Sequence, residues 1–210
     1  MRPERQIVGP LAGANVALIA ASQTPVSGTA LTLTGTQPDL PRRILLTYGN
    51  EAAPRTLTVT GTNYSGGTFS ESLAVPSGAG GTVYTANDFK TVTSLMPLGG
   101  GWTAAVTVGT NGVASSPWVA CDIHVTPANF SFACVVTGTV NYDVQYTLDS
   151  LGNTFGISAI PHNAWTVPTL GSLAINATAS LGSPIAAWRV LLNSGTGSVA
   201  VTAIQAGMKQ

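Results

Sequence analysis

The sequence predicts an all-β protein, an antiparallel β-sandwich or jelly-roll-like fold with an extended N-terminal arm. Three observations carry this. Apolar and polar residues alternate with period 2 along much of the chain, no segment shows a convincing 3.6-residue period, and turn signals recur at short intervals. Composition points the same way: charged residues are only 8% of the 210 residues while the apolar fraction is 44%, so Thr, Ser, Gly and Asn stand where charges usually would. With 24 Gly and 13 Pro, such a chain suits short strands and tight turns, and it disfavours helix because Gly and Pro break the helical ladder.

At the amino terminus, Arg2 and Arg5 precede an apolar stretch from Ile7 to Ala21. Glu4 sits among the arginines, and Gly9-Pro10 and Gly13-Ala-Asn15 interrupt the run, so it reads as an extended arm over residues 1–27 rather than a secretory leader. It is also too short and broken to span a bilayer. An ordered arm must be held by something, since free termini fray. The expectation is that it reaches over a neighbouring subunit and is dispensable for folding.

Strands follow in order. Thr29–Gly35 sets Leu31 and Leu33 on one face, Thr56–Gly61 does the same with Leu57 and Val59, and Trp102, Ala104, Val106 and Val108 continue the pattern. The cleanest strand is Val140–Leu148, with Val140, Tyr142, Val144, Tyr146 and Leu148 expected in the core. Two closing strands, Pro184–Asn193 and Ser198–Gln205, are joined by Ser194-Gly-Thr-Gly197, and Trp188 shares the parity of Val190 and Leu192. Turns are marked by Tyr48-Gly-Asn50, Ser65-Gly-Gly67, Ser77-Gly-Ala-Gly-Gly81, Gly99-Gly-Gly101 and Asn111-Gly112. A composition shift at Asn111–Pro117 separates a first β module, residues 28–112, from a second, residues 113–210.

One hairpin is expected to fold about Thr126-Pro-Ala-Asn129, pairing Val125 with Phe130, Ile123 with Phe132, Cys121 with Cys134 and Val119 with Val136. Facing cysteines permit a cross-strand disulfide. Buried reduced thiols are the reading adopted, because nothing indicates export and Cys is a good small core residue.

Catalysis is not expected. Asp122 and His124 share the outer face of that hairpin, with Ser131 across from His124, but alternate residues on a strand face lie roughly 7 Å apart. Ser131 sits in Asn129-Phe-Ser-Phe132 rather than in a Gly-x-Ser-x-Gly elbow. His124 and His162 are the only histidines and the two cysteines lack zinc-ligand spacing, so no metal is expected. No phosphate loop or dinucleotide fingerprint occurs, so no cofactor is expected either. Eight basic residues balance eight acidic ones, leaving no long-range field to draw in nucleic acid or an anionic membrane. A surface of Thr, Ser and Ala is instead cheap to desolvate under another protein.

At this point the residues resemble a known class. Arg43-Ile-Leu-Leu-Thr47, Thr58-Val-Thr-Gly-Thr-Asn63, Glu71-Ser-Leu73 and Phe89-Lys-Thr-Val-Thr-Ser94 look like a module of tailed-bacteriophage virion proteins. Val144-Gln-Tyr-Thr147, the Trp165 loop, Pro184-Ile-Ala-Ala-Trp-Arg-Val190 and Gly195–Thr202 leading to Ile204-Gln205 resemble a second such module. The resemblance covers most of residues 40 to 210 and implies a virion structural protein, a decoration or cement subunit on the outer surface of the head. Its partners would be the major capsid protein and copies of itself, such subunits often being trimers, with assembly in the host cytoplasm. Arg2, Arg5, Arg42 and Arg43 are the candidate salt links to the shell. A neck, tail or head-fibre component is the first alternative. The second is a carbohydrate-binding module reading host glycans through Trp165, the candidate exposed aromatic in a loop flanked by Pro161 and Pro168.

Overall fold

In the computed structural model, which describes residues 3–149 and 163–209, every regular element is a strand. In chain order these are β1 (Glu4–Val8), β2 (Asn15–Gln23), β3 (Arg42–Tyr48), β4 (Arg55–Thr62), β5 (Thr68–Val75), β6 (Gly81–Tyr84), β7 (Thr91–Leu98) and β8 (Val106–Ser115). There follow β9 (Val119–Ala120), β10 (Val125–Thr137), β11 (Val140–Thr147), β12 (Trp165–Thr166), β13 (Ala177–Leu181), β14 (Ala187–Gly195) and β15 (Ser198–Lys209). All named pairings are antiparallel, and the chain is all-β with sandwich packing. It divides into two compact units: residues 13–111 form one, and residues 3–12, 112–149 and 163–209 form the other.

In the unit of residues 13–111, a three-stranded sheet runs β5-β4-β7. Leu57 and Val59 of β4 are fully buried, as their alternation requires, against Leu73 of β5 and Leu95 of β7. The opposite face of β4 is hydroxylic: Thr58 pairs with Ser72 at 3.2 Å and Thr60 with Ser70 at 2.8 Å. Ile44 and Leu46 of β3 and Val106 and Val108 of β8 complete the core with Ile19 and Ala20 of β2. Gly109 is required where β2 crosses β8, since a Cβ there would lie 1.8 Å from the Asn15 carbonyl.

Two expected strands take other forms in this unit. Residues 29–35 form no strand; Leu31 N–H donates to Leu95 O of β7 and Thr34 N–H to Ile19 O of β2, so the segment seals two strand edges without forming a ladder. The strand expected from Trp102 begins only at Val106. The reason is Glu51, whose carboxylate accepts the backbone N–H groups of Thr103 (3.0 Å) and Ala104 (3.2 Å), drawing that stretch out of sheet geometry. Glu51 is 1% exposed and pairs with Arg55, whose guanidinium also donates to the carbonyls of Gly99 and Gly101.

The other unit is a two-sheet sandwich. One sheet runs β1-β15-β10-β13. Facing it, β11 pairs with β12 and β14, and β14 also carries β9 and the end of β8. Phe130, Phe132 and Cys134 of β10, with Val199 and Val201 of β15, pack against Tyr142 and Val144 of β11 and Trp188, Val190 and Leu192 of β14. An edge-on contact of Phe132 with Trp188, 5.8 Å between centroids at 75°, joins the sheets. Along β11 the alternation holds through Val144 and then fails: Tyr146 is half-buried, Thr147 is buried and Leu148 is 58% exposed.

The predicted hairpin does not form. β10 runs unbroken from Val125 to Thr137 along β15, and Thr126–Asn129 is a bulge in it rather than a turn. Val119 pairs with Trp188 of β14 instead of Val136, so Cys121 and Cys134 do not face each other. β15 pairs with β10 from Val125 to Thr137 and buries Val199 and Val201 fully, whereas Ile123, expected opposite Phe132, is 63% exposed.

Residues 3–27 are held by the chain's own sheets through β1 and β2. β1 pairs in register with β15, from Glu4↔Ala203 to Val8↔Val199, and β2 pairs with β8. Val8 and Leu11 are each 3% exposed, and Ile19 and Ala20 are fully buried. The segment is therefore part of both cores and is not dispensable.

Two predictions follow from these contacts. Deleting residues 1–12 removes the buried Val8 and Leu11 and is expected to cost roughly 3 kcal/mol or more, measured by chemical denaturation; a deletion as stable as the full chain would refute the docking of β1. The second concerns Glu51. Burial raises its pKa, but the bonds from Thr103, Ala104 and Arg55 outweigh it and leave the carboxyl below its ordinary 4.5. A carboxyl depressed on folding stabilises the protein above its unfolded value and loses that stabilisation as pH falls through the folded value. Melting temperature should thus drop on acidification below about 4.5, and Glu51→Gln should lower neutral-pH stability by about 3 kcal/mol while flattening the acid slope.

Candidate functional site

The most distinctive surface is the outer face of the sheet β1-β15-β10-β13. Strand parity that turns Phe130, Phe132 and Cys134 inward turns Ser131, Ala133 and Val135 outward. Register then aligns rows across the strands. Ile7 lies beside Ala200, which lies beside Val135; Arg5, Thr202, Ala133 and Thr178 form the next row; Ile204, Ser131 and Ser180 form the third. Ile7 (59% exposed), Val135 (54%) and Ile204 (44%) are large apolar groups in water, surrounded by Ala, Ser and Thr. Arg5 is the one charged side chain in these rows. An open depression of about 460 Å³ lies over Ser131, Ala133, Thr178, Ser180, Thr202 and Ile204.

Such a face suits contact with another protein. Its hydroxyls can turn to new partners, and Arg5, on the edge strand, is the one ion among the rows that covering would reach. Large apolar groups held in water on one sheet face, set among small side chains, leave that face open to burial by a partner.

The residues singled out from sequence fall in several places. Arg5 is exposed on β1 at the rim of this face. Arg2 and His162 lie outside the described residues. Arg42 is a correction: it is fully buried, its guanidinium bonded to Asp39 at 2.7 Å and to the Asn111 carbonyl at 3.2 Å, so it cannot reach a shell. Its charge suggested the surface, but β3 turns Arg42 toward the interior on the same parity as Ile44 and Leu46. Arg43 is half-buried, its guanidinium 5.7 Å from the centre of the Tyr84 ring. Trp165 is 44% exposed and stacks on Tyr146 at 6.0 Å, its strand β12 lying on β11.

Cys121 and Cys134 are both free thiols. Cys121 follows β9, its N–H donating to Ala186 O, and burial pushes its thiol up to about 12. Cys134 is in the core beside Tyr142, its pKa likewise raised by burial. Neither carries thiolate character at neutral pH. Asp122 accepts the His124 backbone N–H at 3.0 Å, closing a local turn. Ser131 lies across from Ile204 and Ser180 rather than from His124, so the three residues weighed as a triad are not assembled by the sheet register. Among the described residues no three His, Cys, Asp or Glu side chains cluster as metal ligands.

Sequence reasoning missed Ile7, Val135 and Ile204. Their signal was present as apolar residues on the polar parity of otherwise alternating strands, Val135 between Cys134 and Val136 above all. No family model matches the chain, and no curated protein matches it.

Replacing Val135 and Ile204 by Ser is expected to leave stability within about 0.5 kcal/mol, because both side chains are already hydrated in the isolated chain. The same change should lower binding of a hydrophobic fluorescent dye. A large loss of stability would show that these side chains are covered within the chain itself.

Proposed function

We propose that the chain is a non-enzymatic structural protein of a tailed-phage particle, a decoration or cement subunit that binds the outer surface of the head and stabilises its shell. The observation that carries this reading is the charge-poor outer sheet face bearing Ile7, Val135 and Ile204, with Arg5 its one charged group, which suits burial under a neighbour. The resemblance of residues 40 to 210 to virion modules supplies the particle. Because β1 is docked on β15, attachment is assigned to this face rather than to a free arm. Arg5 at its rim remains a candidate salt link to the major capsid protein, and Arg43 with Tyr84 offers a second anchor of the Arg–Tyr type common at interfaces.

A second reading rests on Trp165, an exposed ring backed by Tyr146, which has the flat apolar form that stacks on sugars. It makes the chain a glycan-contacting module of the particle.

Sedimentation of phage lysates, with the protein detected by antibody, tests the first reading. The protein should travel with intact particles and be imaged on the head, and Val135→Asp with Ile204→Asp should reduce occupancy at least tenfold, about 1.4 kcal/mol of binding. Protein that stays with the soluble fraction would refute attachment, and images placing it on the neck or tail would move the assignment there. Binding to a glycan array that disappears in Trp165→Ala would instead favour the second reading.

A further inference from the structure

Sheet edges are where chains join, and natural proteins guard them. Most described edges in this chain are guarded. On β1 the exposed edge residues include Glu4 and Arg5, and Pro3 and Pro10 bracket the strand. The free side of β7 is sealed: Gly28 N–H donates to Pro97 O, Leu31 N–H to Leu95 O, and the Gln37 amide bonds both N–H and C=O of Val92. β2 is covered by Thr34 and by Thr32 bonded to the Gln23 side chain. β5 carries Glu71, whose carboxylate clasps Ala86 and Asn87, while β6 and β12 are only four and two residues long.

β13 has no such device. Its sequence, Ala177-Thr-Ala-Ser-Leu181, holds no charge and no proline, and among the described residues only β10 pairs with it. Thr178 and Ser180 are exposed on the outer face, and Ile175, two residues before the strand, is 67% exposed. Alternate N–H and C=O groups along its far side point away from β10, as they do on any edge strand.

We infer that β13 is the site at which a second copy of this chain adds edge to edge, antiparallel about Ala179. The choice of a second copy comes from self-complementarity, which a two-fold interface demands. About that centre Ala177 meets Leu181, Thr178 meets Ser180, and Ala179 meets its counterpart. Each pair is small or apolar against small, the hydroxyl pair can bond, and no charge opposes a like charge. The pairing joins two four-stranded sheets into one and uses the open edge of both copies, so the assembly closes instead of growing into a fibre. It stands apart from the virion reading: a monomer that binds particles would overturn the pairing and leave that reading intact.

The test is sedimentation velocity on the full chain from micromolar to millimolar loading, with circular dichroism confirming strand content in each variant. Wild type should approach twice its 21.3 kDa mass. Thr178→Lys with Ser180→Lys sets like charges across the two-fold and should weaken the dimer at least tenfold, most strongly at low salt. Thr178→Lys with Ser180→Glu sets opposite charges across it and should restore the dimer. On β10 both positions face uncharged Ala133 and Ser131, so neither variant meets a charge on the adjacent strand, and the repulsion between the two lysines of one chain is common to monomer and dimer. A wild type that stays monomeric throughout overturns the proposal, as does a Lys/Glu variant no better associated than the Lys/Lys variant. If the Lys/Lys variant does not fold, the Lys/Glu variant against wild type decides alone, since charge pairing predicts a dimer that weakens with added salt and wild type predicts one that does not.

Discussion

The long ladder between β10 and β15 is the constraint on which the sandwich unit depends. It sets the parity of both strands at once, turning Phe130, Phe132 and Cys134 inward with Val199, Val201 and Ala203. The same parity necessarily delivers Val135 and Ile204 to the outside. Core and candidate surface are two faces of one register, and slipping it by a single residue would exchange them. β1 and β13 take their places from the strands this ladder fixes, so the exposed apolar rows and the open edge descend from the same pairing.

What sequence alone could read was local. Alternation identified Leu57, Val59, Phe132, Val144 and Trp188 as interior because period 2 is a property of single strands. Partner choice is not local, and there the reading failed. Thr126-Pro-Ala-Asn129 has turn chemistry, yet Pro and Asn serve a bulge as readily, and only the competing apolar row of β15 decides between them. The first 27 residues were readable as extended but not as docked, since β1 finds its partner at the far end of the chain. The outward Val135 was visible as a break in pattern. Its meaning needed neighbours contributed by β1 and β15.

Scarcity of charge gains significance from where the charges sit. Arg42 and Glu51 are buried, paired with Asp39 and Arg55, and each fastens irregular backbone: Arg42 holds the Asn111 carbonyl, Glu51 the Thr103–Ala104 turn. Glu71 fastens Ala86 and Asn87. These groups organise loops that a hydrophobic core cannot reach, because a carboxylate or guanidinium satisfies several backbone groups at once. With such charges committed inward, the exterior is still more neutral than the composition suggests.

The union of β1 with β15 also imposes an order on synthesis. A ribosome delivers β1 first and its partner last, with all of residues 13–111 made in between. That unit can pack while the chain is still growing, whereas β1 must wait, unpaired, until the final strand emerges. The sheet with the interaction face is consequently the last to close, and a nascent or truncated chain lacks the seam that completes it.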